Sequence, residues 1–496
     1  MKKILVANRG EIAMRVMRTC KEMGIKTVAV FSEADRLSPH VRYADEAVCI
    51  GPAPSNQSYL CGDKIIEVAK NLGVDGIHPG YGFLSENADF SQAVSEAGLI
   101  FIGPRPHAIR VMGSKLAAKE AARNYNIPLV PGTESAVSDI EEAKSVAREI
   151  GYPILIKASA GGGGKGMRIV ERDEDLDEQM ERAVSEALNA FGDGSVFIEK
   201  YVSSPRHIEI QVLADAHGNV IHLFERECSV QRRHQKVIEE APSVILTPEI
   251  REAMGKSACD VARSCDYLGA GTCEFIFDEQ NNFYFLEMNT RLQVEHPVTE
   301  LITGVDLVRQ QILIAMGQPL AIKQEDLKIN GHAIQLRVYA EDPSNNFLPS
   351  IGKLQTYRAP KGVGVRVDDG YEEGMDIPIY YDPMIAKLIT YGKDRNEAIA
   401  RIIRAIDEYE IDGPSTTLSF GTFAFKHEAF VSGNFDTHFV KKHFSPDKLE
   451  QGNEEEAKIA AMLVAQLLEQ RQKSPKLNSN SANIVQIKSN WKNRAK

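Results

Sequence analysis

Two glutamates, Glu274 and Glu287, stand at positions where they could hold a metal ion between two strands. The runs 271–278 and 283–289 are rich in Phe, Tyr, Ile and Leu and are separated by a polar turn, 279–282. This pattern predicts an antiparallel hairpin. If the turn is centred on its two middle residues, the hairpin places Glu274 directly opposite Glu287.

The two carboxylates would then share one face of the hairpin. Side chains alternate along a strand, so we expect four residues of the second strand on the face that carries Glu274. They are Phe283, Phe285, Glu287 and Asn289. Opposed Cβ atoms lie roughly 4.5 to 5.5 Å apart, and like charges there repel. A shared proton or a hard divalent cation would relieve the repulsion, and an exposed hairpin whose acids face water is the third interpretation.

A cation held by one or two carboxylates usually also binds substrate phosphates, so the metal interpretation indicates a nucleotide. Arg291, Gln293 and Glu295 follow at every second position. In an extended chain they share one face, and Pro297 is expected to keep His296 away from helical geometry. A guanidinium binds two oxygens of a small planar anion, an amide orients it, and a carboxylate takes up a proton. We therefore predict an anion site here, rather than a merely polar strand face.

The whole-chain composition excludes several classes of protein. The chain has 496 residues, enough for about three domains, and a formal net charge of -11. This charge argues against general nucleic-acid binding, which needs concentrated Lys and Arg. The seven cysteines form no Cys-x-x-Cys pair, which argues against a zinc site or a disulfide framework and fits a reducing cytoplasm. No apolar run has the length of a signal peptide or a membrane span, so we expect a cytoplasmic protein.

The start of the chain predicts a βαβ unit. The apolar run 3–7 is a strand candidate, residues 8–10 open a helix, and 27–31 form a second strand. The helix has apolar residues spaced for one face at Ile12, Val16, Cys20 and Met23. This is the pattern of an open parallel sheet. Its first turn has a single glycine, so a Rossmann fingerprint is absent.

Further along, 154–157 and 167–170 are predicted strands on either side of a Gly-rich loop, 158–166. Consecutive glycines let backbone N–H groups approach phosphate oxygens, and Lys165 adds charge. Gly166 follows Lys165 where a Walker A loop has Ser or Thr, so a flexible hairpin loop is the alternative. The spacing of apolar residues predicts a helix over 306–316, which should end before Gly317. The runs 362–367 and 385–390 predict strands of a mixed sheet.

Four long motifs resemble those of the biotin carboxylases, a family of the ATP-grasp superfamily. They are Lys-Ile-Leu-Val-Ala-Asn-Arg-Gly-Glu-Ile-Ala at 3–13, His-Pro-Gly-Tyr-Gly-Phe-Leu-Ser-Glu-Asn at 78–87, the run 232–242, and Glu-Met-Asn-Thr-Arg-Leu-Gln-Val-Glu-His-Pro at 287–297. The resemblance covers approximately residues 1–446 and implies an α/β protein. The implied parts are an N-terminal open parallel α/β domain at 1–112, an ATP-grasp domain at 113–330 with a mobile Gly-rich lid at about 130–203, and a C-terminal mixed α+β domain at 331–446.

The resemblance also implies roles for individual residues. Contacts to ATP are implied for Lys115, Lys157, Gly163, Gly164, Glu199, Lys200, Tyr201, Val202, His207, His234, Glu274 and Glu287. Metal ligation is implied for Glu274, Glu287 and Asn289, and bicarbonate binding for Lys236, Arg291, Gln293, Val294 and Glu295. Biotin contacts are implied for Tyr81 and Arg337, and catalysis for Lys236, Arg291, Glu295 and Arg337.

Some of these assignments compete with plainer interpretations. His207 and His234 could each be a partly buried histidine bonded to backbone. Lys236 lies in the run 226–240, which is too charged to be core and would ordinarily be a solvated face. The family often has Glu where this chain has Gln335, a departure expected to alter a supporting contact near Arg337.

The implied activity is ATP-dependent carboxylation of biotin by bicarbonate through carboxyphosphate, with two Mg²⁺ or Mn²⁺ ions. The sequence contains no Ala-Met-Lys-Met biotinylation site. We therefore expect biotin on a separate carrier protein, and carboxyltransferase subunits that select acetyl-CoA, propionyl-CoA or pyruvate. Family members are commonly homodimers, which is inference by analogy.

Two other functions stay open at this level. Another ATP-grasp ligase, joining a carboxylate to an amine, would share the metal pair and the Gly-rich loop but needs no Arg291, Gln293 and Glu295 row. A catalytically silent nucleotide-binding subunit would only scaffold a complex. The segment 447–496 lies outside the resemblance: 454–472 has helical composition, and the part from 471 carries seven basic and no acidic residues. A solvated, disordered tail and a segment that docks on an acidic partner are its two interpretations.

Overall fold

The computed structural model describes residues 1–133, 137, 139–158, 167–191, 194–449, 458–459 and 461–466, without the side chains of 115, 116, 140, 158, 167, 190 and 191. The chain divides into two units, Met1–Lys448 and Leu449–Lys496. In the second unit the described residues 458–459 and 461–466 are helical, as predicted for that stretch. Among the described residues, no helix combines the length and apolarity that crossing a membrane requires.

The first 113 residues form a parallel sheet with helices between its strands. Its elements are β1 (Lys3–Val6), α1 (Gly10–Glu22), β2 (Lys26–Ser32), α2 (Pro39–Tyr43), β3 (Glu46–Gly51), α3 (Gly62–Asn71), β4 (Gly76–His78), α4 (Ala88–Glu96), β5 (Ile100–Phe101) and α5 (Pro106–Gly113). The strand order is β3-β2-β1-β4-β5, and every pair is parallel. Ile12, Val16 and Cys20 of α1 are buried, which confirms the predicted βαβ unit and open parallel sheet.

A small three-stranded sheet follows. Its region contains α6 (Lys115–Asn124), α7 (Ile140–Ile150), β6 (Ile154–Ala158), β7 (Met167–Val170), α8 (Leu176–Phe191) and β8 (Val196–Lys200). The strands pair antiparallel in the order β7-β6-β8. Both predicted strands around the Gly-rich loop are therefore confirmed, whereas 159–166 lie outside the described residues.

The rest of the first unit is built on one antiparallel sheet of eight strands. Its first part comprises β9 (Arg206–Ala214), β10 (Val220–Arg232), β11 (Gln235–Ala241), α9 (Pro248–Ser264), β12 (Gly269–Phe277), β13 (Phe283–Asn289), α10 (His296–Thr303) and α11 (Leu307–Ala315). Asp306 caps α11 and Gly317 follows it with a φ of +78°. The predicted helix at 306–316 is therefore confirmed.

The same sheet continues into the C-terminal part. That part comprises β14 (His332–Tyr339), β15 (Glu341–Asp342), β16 (Leu348–Pro349), β17 (Gly352–Lys353), β18 (Thr356–Arg358), β19 (Val365–Asp369), β20 (Asp376–Ile377), β21 (Met384–Gly392), α12 (Arg395–Asp407), β22 (Glu410–Asp412), α13 (Leu418–Lys426), α14 (Glu428–Val431) and α15 (Phe439–His443). The order of the eight strands is β13-β12-β9-β10-β11-β14-β21-β19.

The runs 362–367 and 385–390 were predicted to be strands of a mixed sheet; β19 and β21 confirm the strands, but the mixed sheet was wrong. All pairs in the eight-stranded sheet are antiparallel, including β14 with β21 and β19 with β21. β14 pairs with β11 and so joins the C-terminal strands to the central sheet. This pairing satisfies the backbone N–H and C=O groups that an edge strand would leave exposed.

The hairpin of β12 and β13 has the predicted pair but a different register near its turn. Glu274 lies opposite Glu287, as predicted, whereas Phe275 lies opposite Phe285. The register therefore shifts by one residue at Leu286, a β-bulge that opposes two residues to one. The tight turn is held by Asp278, and the bulge restores the pairing of the two glutamates.

The bulge also overturns the prediction that Phe283, Phe285, Glu287 and Asn289 share a face. The two phenylalanines pack in the apolar cluster with Met288. Because Met288 and Glu287 are consecutive in the strand, their side chains lie on opposite faces. The carboxylates therefore project from the face opposite the phenylalanines.

The segment after β13 was predicted to stay extended, and this was wrong. β13 ends at Asn289, and residues 290–295 form a turn that leads into α10. His296 is the first residue of α10, with Pro297 beside it in the first turn. A proline in the first turn loses no helical hydrogen bond, because that N–H has no partner in the helix. Arg291, Gln293 and Glu295 consequently point to different partners.

The loop after β4 carries Tyr81, which lines a cavity together with Arg291 and Arg337. Its shape depends on the buried ring of His78, whose Nδ1 accepts a hydrogen bond from the Gly80 N–H at 3.0 Å. Gly80 has a φ of +64°, and a Cβ there would lie 2.8 Å from Nδ2 of Asn8. Asn8 in turn donates to the carbonyls of Pro79 and Tyr81. The loop is thus fixed from both sides.

We predict that the buried, neutral His78 makes the protein less stable in acid. Burial lowers its pKa from 6.5 to about 4, so the unfolded chain takes up the proton first. Above about pH 6.5, His78 is neutral in both states and costs no stability. As the pH falls towards 4, protonation of the unfolded chain lowers the free energy of unfolding by up to about 3 kcal/mol in all. The measurement is urea unfolding of the wild type and of His78→Asn at about pH 7 and about pH 5. Between these two pH values, the free energy of unfolding should fall by about 2 kcal/mol less in His78→Asn than in the wild type. The Asn side chain keeps an acceptor for Gly80, and equal decreases in both proteins would contradict the prediction.

Candidate active site

The ammonium of Lys236 joins three carboxylates at the centre of the large sheet. Its Nζ donates to Glu209, to Oε1 of Glu274 at 2.8 Å and to Oε1 of Glu295 at 2.7 Å. Burial alone would lower the pKa of Lys236, but the charges of Glu209, Glu274 and Glu295 outweigh it and raise this pKa well above its usual value. Lys236 therefore carries a permanent positive charge.

Glu274 is the acceptor for the polar side chains around it. Oε1 also accepts from Nδ2 of Asn289 and Nε2 of Gln293, both at 2.8 Å, and Oε2 lies 2.9 Å from Nε2 of His207. Burial raises the pKa of Glu274, but the charges of Lys236 and His207 outweigh it and hold this pKa well below normal. Glu274 is ionised under all ordinary conditions.

Glu287, by contrast, faces solvent and has no cationic side chain bonded to it among the described residues. Desolvation and the charge of Glu274 raise its pKa. The opposed pair thus repels, as the sequence predicted. A hard divalent cation fits the set because two carboxylates and the amide oxygen of Asn289 are its preferred ligands. That oxygen accepts from Nη2 of Arg291 at 3.0 Å.

Glu209 adds a further carboxylate to the cluster around Lys236. Within the described part of the chain, His207, Glu209 and Glu274 bring three ligand atoms within 4.8 Å of one another, and so do Glu209, Cys228 and Glu295. Glu209 was not predicted. It lies on β9 beside β12, where it pairs directly with Glu274.

Glu295 and Arg337 form the other end of the charge network. Nη2 of Arg337 donates to Oε2 of Glu295 at 2.9 Å, and its Nε donates to Oε1 of Glu239 at 2.6 Å. Burial would raise the pKa of Glu295, but Lys236, Arg337 and the more distant Arg226 lower it instead. Two of the predicted catalytic residues, Lys236 and Arg337, therefore both contact a third, Glu295.

Gln293 is held by an arginine that sequence reasoning missed. Arg226 is fully buried and donates to Oε1 of Gln293 at 2.8 Å. Its other acceptors are Glu209, Gln211, Thr272 and Thr299. The prediction that 226–240 is too charged to be core was wrong, because β10 and β11 lie inside the sheet and their charges are paired.

Arg291 bonds to the side chains of Glu86 and Asn289 rather than to Gln293 or Glu295. Its Nε donates to Oε2 of Glu86, in the loop after β4, at 2.8 Å. A cavity of about 530 Å³ opens beside it. Among the predicted site residues it is lined by Tyr81, Arg291, Val294 and Arg337. Both predicted biotin residues thus share one cavity with Arg291 and Val294, whereas the predicted bicarbonate residues Lys236, Gln293 and Glu295 do not line it.

The residues predicted to contact ATP from the small sheet are only partly described. Glu199 is bound by Nζ of Lys157 and by Nζ of Lys119 at 2.6 Å. Burial raises the pKa of Glu199, but these two lysines lower it overall. Lys200 donates to the carbonyls of Gly151 and Tyr152.

The remaining predicted contacts are distributed. Tyr201 and Val202 follow β8, and the Tyr201 N–H donates to the Pro153 carbonyl. The side chain of Lys115 and both Gly163 and Gly164 lie outside the described residues. His207 contacts Glu274, as noted above. His234 is exposed in the turn between β10 and β11, at a φ of +67°, and lines a separate cavity of about 590 Å³.

The antiparallel sheet with an acidic hairpin, together with the lysine-bearing small sheet, defines an ATP-grasp enzyme. Three family models match successive parts of the chain: the biotin carboxylase N-terminal domain at 1–109, the carbamoyl-phosphate synthase L chain ATP-binding domain at 114–323, and the biotin carboxylase C-terminal domain at 335–442. Biotin carboxylase 1 of Bacillus subtilis is 54% identical over 443 residues, which cover 89% of this chain and 98% of the relative. The chain belongs to the biotin carboxylase family.

A second relative and one solved structure are similar to this chain over nearly the same share of its length. The mitochondrial propionyl-CoA carboxylase alpha chain of Homo sapiens is 55% identical over 88% of this chain, and the match spans 60% of that relative. The biotin carboxylase domain of the Hydrogenobacter thermophilus 2-oxoglutarate carboxylase has a TM-score of 0.83 and 48% identity, covering 91% of this chain and 99% of that one. That structure is a dimer in complex with MgADP, ADP and bicarbonate.

Proposed function

We propose that the chain carboxylates biotin with ATP and bicarbonate, through carboxyphosphate, as the first half-reaction of a biotin-dependent carboxylase. One observation carries the proposal. Lys236 bridges Glu274, the carboxylate of the predicted metal site, and Glu295, which is paired with Arg337 at the predicted biotin site. A single buried network of ion pairs therefore connects the proposed metal site to the proposed biotin site.

At the nucleotide end, Glu274, Glu287 and Asn289 would hold two Mg²⁺ or Mn²⁺ ions. When bound, these ions neutralise charge on the ATP phosphates. Support comes from the donor set and from the MgADP complex of the Hydrogenobacter domain. The remaining ATP contacts are proposed for Lys115, Lys157, Gly163, Gly164, Glu199, Lys200, Tyr201, Val202, His207 and His234.

Bicarbonate is proposed to bind on Lys236, Arg291, Gln293 and the Val294 backbone, with Glu295 as the base. A bound anion competes with Glu295 for the positive charges of Lys236 and Arg337. Since these charges hold the pKa of Glu295 down, their redirection makes Glu295 a stronger base. Substrate binding would thereby activate the base that deprotonates it.

The proton of bicarbonate passes to Glu295, and the dianion attacks the γ-phosphorus to give carboxyphosphate and ADP. Carboxyphosphate breaks down to CO₂ and phosphate, and the phosphate takes the ureido proton of biotin. Loss of this proton leaves biotin as its enolate, which attacks CO₂ to give carboxybiotin. Arg337, with Tyr81 across the same cavity, would hold the enolate oxygen.

We also propose the parts and partners of the protein. The division into 1–112, 113–330, 331–446 and 447–496 is supported by the three family matches. A biotin carboxyl carrier protein and carboxyltransferase subunits are proposed partners, and a homodimer is supported by the dimeric Hydrogenobacter domain. A cytoplasmic location is proposed because all seven cysteines are free thiols.

The test is ADP release by the purified protein with Mg²⁺, bicarbonate and free biotin. Dependence on both bicarbonate and biotin is the expected result. ADP release that needs an amine and a different carboxylate would indicate another ATP-grasp ligase. No ADP release under any of these conditions would indicate a binding subunit.

A further inference from the structure

Glu239 is a buried carboxylate that the mechanism above does not use. It lies on β11, directly opposite Gln335 of β14, and its side chain is completely buried. Its Oε1 accepts from Nε of Arg337 at 2.6 Å. Glu239 does not line the cavity that Tyr81 and Arg337 share. Among the described residues, its side chain is hydrogen-bonded to Arg337 and Gln335, so its hydrogen-bonded link to the reacting groups runs through Arg337.

Gln335 holds the other oxygen of Glu239. Its Nε2 donates to Oε2 of Glu239 at 3.0 Å, and its own Oε1 is buried without a hydrogen-bond partner among the described residues. A buried amide with one unsatisfied end is a cost to folding. Through its bond to Oε2, Gln335 fixes the orientation of the Glu239 carboxylate.

Arg337 is thus placed between two carboxylates with different surroundings. Glu239 binds Nε, at the root of the guanidinium, whereas Glu295 binds Nη2 at its tip. Of these two carboxylates, only Glu295 has a proposed role in the reaction, as the base for bicarbonate. When Glu295 becomes protonated or turns to bicarbonate, Glu239 is the remaining charge that balances and orients Arg337.

We propose that Glu239, oriented by Gln335, is a positioning residue that anchors Nε of Arg337 so that its Nη atoms face the cavity while Glu295 works as a base. The proposal rests on the proposed function. Burial, and the charge of Glu295, raise the pKa of Glu239 to about 7 against the lowering effect of Arg337.

Glu239→Gln tests the proposal, because it keeps the shape and removes the charge. Biotin-dependent ADP release should fall in kcat by about 10-fold to 100-fold, the range for loss of a supporting partner of a functional group. KM for ATP and the slow bicarbonate-dependent ATP cleavage without biotin should change less than about threefold. Glu239→Asp, which keeps the charge, should recover part of the lost kcat.

Glu240→Gln is the matched control. Glu240 is the next residue, equally buried, and is bound by His332 and Arg395 with no contact to Arg337. It should lose stability without a selective loss of biotin-dependent turnover. The same selective loss in Glu240→Gln would overturn the proposal.

A double-mutant cycle with Arg337→Ala separates positioning from general support. If Glu239 acts through Arg337, adding Glu239→Gln to Arg337→Ala should cost little further kcat, whereas independent effects would multiply. Full multiplication would overturn the proposal. If Glu239→Gln fails to fold, Gln335→Met takes its place in the cycle with a smaller expected loss and the same non-additivity.

The outcomes also distinguish this proposal from the proposed function. Wild-type protein whose ADP release is not accelerated by biotin would refute the function. Biotin-dependent wild-type protein with an unaffected Glu239→Gln variant would refute the role of Glu239 alone.

Discussion

Glu287→Gln is expected to abolish ATP-dependent carboxylation while the protein stays folded. The substitution removes one of the two carboxylates proposed to hold the metal ions, and losing a group that stabilises developing charge commonly costs 10²-fold to 10³-fold in kcat. The free energy of unfolding should not decrease. In the wild type, desolvation and Glu274 raise the pKa of Glu287, so its charge opposes folding above that pKa, and Gln relieves the repulsion.

The measurements are ADP release and thermal unfolding with and without Mg²⁺-ATP. The wild-type protein should be stabilised by Mg²⁺-ATP, and Glu287→Gln should gain far less. Glu279→Gln is the matched control, since Glu279 is an exposed glutamate in the turn of the same hairpin. Normal turnover in Glu287→Gln would show that the pair of glutamates does not bind the ions.

Arg337→Ala should slow biotin-dependent carboxylation far more than the slow, biotin-free cleavage of ATP. Arg337 faces the cavity and is proposed to hold the enolate oxygen, a role worth about 2.7 to 4 kcal/mol in comparable oxyanion sites. ATP cleavage needs mainly the metal ligands, Lys236 and Glu295, which remain.

Two assays with the same protein preparation check this: carboxybiotin formation, and bicarbonate-dependent ADP release without biotin. Arg232→Ala is the control, because Arg232 is another largely buried arginine of the large sheet, paired with Glu341 and absent from the cavity lining. Equal losses in the two assays of Arg337→Ala would contradict its assignment to the biotin step.

Local pattern was sufficient where neighbours along the chain decide the structure. The βαβ unit, the strands around the Gly-rich loop and the helix at 306–316 follow from periodicity and capping, and the structure confirms them. The opposition of Glu274 and Glu287 was predicted too, although the bulge at Leu286 was not. A bulge depends on how the two phenylalanines pack against the rest of the apolar cluster, which the hairpin sequence alone does not contain.

Long-range pairing decided the rest. The run 226–240 was predicted to be solvated, yet Arg226 and Glu239 are buried, because strands on both sides cover β10 and β11. Pro297 was expected to keep His296 away from helical geometry, yet His296 begins α10 with Pro297 in its first turn. The supporting residues Glu209, Arg226 and Lys119 carried no motif of their own and became visible only through their contacts.

The order of residues by itself therefore determined the class of protein, the pair of acids and the set of groups available for binding an anion. The tertiary structure alone decided which of those groups meet. Lys236, Glu274, Glu295 and Arg337 come from four separate segments, and their charges balance only when the antiparallel sheet stacks those segments side by side. Charges can be buried only in pairs, so partner choice is a property of the assembled sheet, whereas helix and strand formation depends largely on residues close in sequence.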